Sequence, residues 1–187
     1  MPVNKALALS LAKRGVFVFP TNTHKKPITE EKQYSTERWS ATNDLATVQH
    51  VFDRYSKAQV GIACGESKVV VIDVDPGGEV WYARERKRLQ CGYRVRTPRG
   101  GQHLYYLADA AREIRNSASL IAKGVDVRGE GGYVVAYDAD TIEGTRDDIG
   151  PMPKWLIDEC VRKKRANGHG GNGTISGVLS NAGTSGS

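Results

Sequence analysis

An α+β fold is predicted by three observations. Short strand-like runs at residues 59–63, 68–74, 93–97, 102–107, 125–128 and 133–136 are interspersed with amphipathic helical stretches. Glycine-containing turns at 98–101 and 129–132 join two pairs of those runs as apparent hairpins. The chain has 187 residues, 39% hydrophobic and 26% charged, which suits one globular domain with its own core. Helices mixed with hairpins, and no internal repeat, give the α+β class.

The elements follow in chain order. Residues 6–14 carry Leu7, Ala8, Leu11 and Ala12 at helical spacing, with Gly15 as the C′ residue. Residues 16–19 form a short apolar strand, stopped by Pro20. Residues 21–40 are polar and contain the basic turn His24-Lys25-Lys26-Pro27, so a long loop is expected. Thr42 or Asn43 is the expected N-cap of a helix whose face carries Leu45, Val48 and Phe52. Gly77 and Gly78 open a helix to about residue 90. Pro153 at N1 opens another to residue 165, whose closing Arg162-Lys163-Lys164-Arg165 complements the negative helix end. The catalytic or binding domain is thus expected over residues 1–166. Residues 167–187, rich in Gly, Ser, Asn and Thr, have the composition of a flexible linker to a further domain.

Composition excludes several classes. No apolar run reaches the ~20 residues of a membrane span, and the N-terminus lacks a signal-peptide pattern. Cys64, Cys91 and Cys160 are odd in number and widely spaced, which argues against a disulfide framework and against structural zinc and fits a reducing cytoplasm. A net charge of +6 permits a polyanionic partner without requiring one.

The chemistry concentrates in three stretches. In Val70-Val71-Ile72-Asp73-Val74-Asp75, alternation places Val70, Ile72 and Val74 on one strand face and Asp73 and Asp75 on the other. Two carboxylates so close require neutralisation, by a hard divalent cation or by Lys and Arg. In Thr97-Pro98-Arg99-Gly100-Gly101-Gln102-His103, Gly100 and Gly101 allow backbone N–H groups to approach phosphate, and His103 follows on the outgoing strand. In Val125-Asp126-Val127-Arg128, Asp126 is either a third acidic ligand or half of a local pair with Arg128. Arg128 is also placed to meet a triphosphate.

These residues, with Lys25-Lys26-Pro27, Arg38-Trp39-Ser40-Ala41-Thr42-Asn43-Asp44 and Val60-Gly61-Ile62-Ala63-Cys64-Gly65, give the chain a resemblance. It resembles the N-terminal primase–polymerase domain of bifunctional phage and plasmid replication proteins, in the archaeo-eukaryotic primase superfamily. The similarity runs to about residue 136. It implies a two-lobed fold, an N-terminal α/β lobe packed on an RRM-like lobe with the active site in the cleft. It implies a two-metal site, with Mg2+ or Mn2+ on Asp73, Asp75 and Asp126, His103 on the nucleotide phosphates and a role for Lys25. Arg99, Gly100, Gly101 and Arg128 complete the expected nucleotide site by position. The implied substrates are dNTPs or NTPs on a DNA template and primer, with a helicase domain downstream and a cytoplasmic setting. Arg94, Arg96 and the charged stretch 84–88 are candidate template contacts. Two other classes share parts of the pattern: a metal-dependent nuclease, and a single-strand-binding module stacking bases on Tyr105, Tyr106 and Tyr133.

Overall fold

The computed structural model describes residues 3–166, so the expected linker at 167–187 lies outside the described residues. Helix α1 (Val3–Lys13) buries Ala8, Leu11 and Ala12. It ends in a Schellman turn: Gly15, at φ +81°, donates its N–H to Ala12, and Val16 donates to Leu11. Strand β1 (Val18–Thr21) runs through Pro20 instead of stopping there. It is an edge strand of its sheet, where a residue without an N–H is tolerated.

Helix α2 (Leu45–Arg54) is capped by Asp44, whose carboxylate accepts the Thr47 N–H at 2.8 Å. The expected cap at Thr42 or Asn43 is thereby corrected. Thr42 exchanges both backbone hydrogen bonds with Val18, which extends the sheet and postpones the helix. Strand β2 (Gln59–Ala63) follows, then β3 (Val69–Val74), helix α3 (Glu79–Leu89), β4 (Tyr93–Arg96) and β5 (Gln102–Leu107). The chain continues with β6 (Ser117–Ala122), β7 (Val125–Arg128), β8 (Tyr133–Val135), β9 (Thr141–Glu143) and helix α4 (Lys154–Ala166).

The strands form two sheets, confirming the mixed α+β class. One has the order β1-β2-β8 and the other β6-β7-β3-β5-β4-β9. Every strand pairing is antiparallel. The β4–β5 hairpin forms as expected. The hairpin expected from 125–128 and 133–136 does not. Strand β7 pairs with β3 and β6, whereas β8 crosses to the other sheet and pairs with β2. The Gly129–Gly132 turn reverses the chain, but Val134 and Val135 bury themselves against β2.

The six-stranded sheet is covered on both faces. Val70, Ile72, Val74, Leu104, Tyr106, Val125 and Val127 pack with Trp81 and Leu89 of α3 and Leu156 and Ile157 of α4. The alternate positions Val69, Val71, Tyr93, Val95 and Tyr105 join a core with Leu11, Val48, Phe52, Val60, Ile62 and Val134. The second sheet and helices α1 and α2 therefore share that face. No described helix is long and apolar enough to cross a membrane.

Candidate active site

The site grows from the last turn of side chains on β3. Asp73 lies directly opposite His103 of β5 and Asp126 of β7 in the strand register. Directly opposed residues point to the same face, so Asp126, Asp73 and His103 form one row across three strands. In the next row inward, Val71, Tyr105 and Tyr93 return to core, while Arg128 stays beside the site. Two residues beyond Asp73, Asp75 has left the strand. Its N–H donates to Gly124, and its carbonyl accepts from Gly77 and Gly78 at 2.8 Å.

A cavity of about 290 Å³ opens over this row. Asp73, Asp75, His103, Arg99, Arg128 and Lys25 line it, together with Asn116 and the β8 residues Tyr133, Val134 and Val135. Lys25 arrives from the loop after β1. It is held at φ +63° in a turn closed by the Asn22 carboxamide, which accepts from the N–H groups of His24 and Lys26. The Tyr133 hydroxyl donates to the Lys25 carbonyl at 2.8 Å and ties that turn to β8. Arg99 sits on the β4–β5 turn. Gly100 there adopts φ +86°, and a Cβ on Gly101 would overlap the Val74 carbonyl oxygen. The two glycines thus shape the turn against the end of β3, and do not themselves line the cavity.

Charge in the cavity is unevenly matched. Burial, then the neighbouring charges of Asp75 and Asp126, push the Asp73 carboxyl up to about 6, against the opposing pull of Arg128 and Lys25. Burial, assisted by Lys25, Arg128 and Arg146, pushes the His103 imidazole down to about 3, so it is neutral at pH 7. Its Nε2 lies 3.5 Å from Asp73 Oδ1, and its buried Nδ1 has no hydrogen-bond partner. The Tyr137 hydroxyl, also buried and unpartnered, is raised by burial and by Asp73 and lowered by Arg99.

Asp126 stands apart. Its Oδ1 accepts the Ser119 N–H at 2.8 Å, and its Oδ2 accepts Arg128 at 2.6 Å. It is not on the cavity wall. Among the described residues, no group of three or more His, Cys, Asp and Glu side chains is gathered to hold a metal ion. Asp73 and Asp75 nevertheless suit a hard divalent cation. Both are oxygen donors on one cavity, and Asp73 carries an ionisation that its surroundings oppose and a cation would relieve.

Sequence reasoning missed Asn116, Tyr137 and Arg146. Arg146 is nearly buried, bidentate to Asp138 at 2.6 Å, and lies over the rings of Tyr93 and Tyr105. None of the three belongs to a local motif that could have marked it. Two expected base platforms are corrected: Tyr105 and Tyr106 are fully buried and present no ring to a ligand. Among the candidate template contacts, Arg94 is engaged with Tyr82, Gln102 and Glu143. Residues 84–88 lie on α3, which covers the opposite face of the sheet. A larger cavity of about 480 Å³ opens at the other end of β3, but it holds none of the expected site residues.

A search of curated proteins returned no match. The family model of the bifunctional DNA primase/polymerase N-terminal domain matches residues 8–155, which takes in both sheets and every residue of the cavity. A match over that span shows the family: the chain belongs to the Prim-Pol family.

Proposed function

We propose that residues 1–166 form a template-directed nucleotidyltransferase, a DNA polymerase and primase of a phage or plasmid replication protein. Residues 167–187 would lead to a downstream helicase domain. Family membership carries the general activity, DNA primase/polymerase. The observation that carries the finer reading is the cavity that joins Asp73 and Asp75 with Lys25, Arg99, Arg128 and His103.

The two-lobed arrangement is part of this proposal. The β1-β2-β8 sheet with α1 and α2 would be the N-terminal lobe. The remainder would be the RRM-like lobe, supported by a split β-α-β unit in which β5 lies between β3 and β4. The cavity draws its lining from both sheets, as a cleft site requires.

In this reading Asp73 and Asp75 would hold two divalent ions, Mg2+ or Mn2+, with Asp126 as the third carboxylate. When bound, such ions activate a primer 3′-hydroxyl and offset charge on the triphosphate and leaving pyrophosphate. Lys25, Arg99 and Arg128 supply three cations to the triphosphate, which aligns it and stabilises charge developing at the leaving oxygen. His103 contacts it as a neutral group, because its burial excludes the imidazolium at working pH. Its unpartnered Nδ1 is a polar atom that a ligand or bound water can satisfy. Tyr133 and Asn116 form the opposite wall, against the sugar and base. Template and primer lie over the basic rim, with salt-sensitive affinity.

The test is a gel assay with labelled primer–template, Mg2+ or Mn2+, and dNTPs or NTPs in separate lanes. Extension should be lost in Asp73→Ala/Asp75→Ala, and products on unprimed template would add priming. Undiminished extension by that folded variant would remove the mechanism. Cleavage of DNA without nucleotides would replace it with a nuclease.

A further inference from the structure

Arg128 and Asp126 share the face of β7 that looks toward the site, yet only one of them lines the cavity. Asp126 is opposite Asp73 in register and adjacent to it, but both its oxygens are taken, one by the Ser119 N–H and one by Arg128. Its side chain is 13% exposed, against 27% for Arg128. Arg128 therefore has two engagements: one Nη on the carboxylate, and a place on the cavity wall.

Resting on the function proposed above, we propose that Arg128 is a positioning residue that withholds Asp126 from the metal site until a nucleotide triphosphate claims the guanidinium. A guanidinium carries five N–H donors in a planar fork that matches phosphate oxygens bidentately. A triphosphate offers more charge and more acceptor oxygens than one carboxylate. As Arg128 turns to it, Asp126 Oδ2 is vacated beside Asp73.

The Ser119 contact keeps the freed carboxylate oriented. Ser119 is held at φ +49°, and its hydroxyl accepts the Gly124 N–H at 3.3 Å, so its N–H is fixed by the β6–β7 connection. Asp126 thus loses one partner and retains the other. The third ligand appears only when substrate phosphates are present, and the site does not close around a divalent ion alone. Linkage makes the effect reciprocal: whatever vacates Asp126 favours the ion, and whatever draws Asp126 away from Arg128 favours the nucleotide.

Two binding measurements test this without turnover. The first is MnCl2 binding, by electron paramagnetic resonance, in the absence of nucleotide. Arg128→Met should bind Mn2+ about tenfold more tightly than wild type, and Arg128→Lys, which keeps a cation on Asp126, should not. The gain should vanish in Arg128→Met/Asp126→Asn. Wild-type affinity in Arg128→Met, or a gain that survives in the double variant, overturns the proposal, the latter by reducing it to general charge repulsion. The second is dATP binding in EDTA. Asp126→Asn should bind dATP more tightly, because Arg128 is released, and this gain should vanish when Arg128 is also Met. Unchanged or weaker binding by Asp126→Asn overturns it. Asp73→Asn/Asp75→Asn serves as the separate control: wild-type Mn2+ affinity there defeats the proposed metal site itself, whatever Arg128 does.

Discussion

The two faces of the six-stranded sheet use the same strands and end in opposite chemistry. Toward α3 and α4, the positions Val70, Ile72, Val74, Leu104, Tyr106, Val125 and Val127 are apolar and buried along their whole length. Toward the smaller sheet, the intervening positions begin as core, at Val69, Val71 and Tyr105, and turn polar at Asp73, His103 and Asp126. The difference shows how the site is fixed in place. Its side chains are one residue out of phase with an uninterrupted apolar face, and a register slip that moved them would expose that face. The helix-covered side sets position; the other side is free to carry charge.

Three substitutions sharpen or break this division. The largest expected change in stability is Ile72→Ala. Ile72 is fully buried on the helix-covered face, so its truncation should cost about 2–5 kcal/mol in urea denaturation. Extension per folded molecule should stay unchanged, and a loss as steep as that of the Asp73 variants would dissolve the distinction between the faces.

Asp73→Asn should do the reverse. The folded carboxyl is raised from 3.8 to about 6. Its contribution to stability is therefore full below pH 3.8 and lost as pH rises through 6. In EDTA at pH 7.5 the variant should exceed wild type by about 3 kcal/mol, and the advantage should disappear below about pH 4. Activity falls while stability rises. Denaturation curves at the two pH values check the sign, and an equal advantage at both would refute the burial argument.

The smallest effect is expected of Gly101→Ala. Its Cβ overlaps the Val74 carbonyl oxygen and presses on Asp75, so the turn must shift, at about 1–3 kcal/mol. Because Arg99 rides on that turn, the KM for nucleotide should rise more than stability falls. Nucleotide titrations of the extension rate measure this.

Much of this layout was legible from residue order. Alternation in β3 separated the carboxylates from Val70, Ile72 and Val74, and the limits of β2, β5 and β7 agree with the predicted runs. Local patterns failed where a distant partner decides. Gly129–Gly132 announces a reversal but not which sheet receives β8; that depends on Val134 meeting Ile62. Strand β6 is interrupted by left-handed Ser119, and β9 is three exposed residues, so neither shows a period. Lys25 was visible as part of a basic turn, whereas Asn116 and Tyr137 reach the site alone. The pairing of Asp126 was open between ligand and local partner, since spacing cannot tell which way a carboxylate turns.

The smaller sheet is assembled from residues 18–21, 59–63 and 133–135, in that spatial order. During synthesis, β1 and β2 leave the ribosome long before the strand that completes them. By then β3, α3, β4, β5, β6 and β7 have already emerged. The nascent chain thus owns Asp73, His103 and Arg128 before it owns the wall of Tyr133, Val134 and Val135. Until β8 arrives, the second edge of β2 is an open template for wrong partners. A fragment ending before Tyr133 keeps all the charged groups of the cavity but neither a complete smaller sheet nor an enclosed pocket, so the carboxylates and the container that gives them a use are delivered at different times.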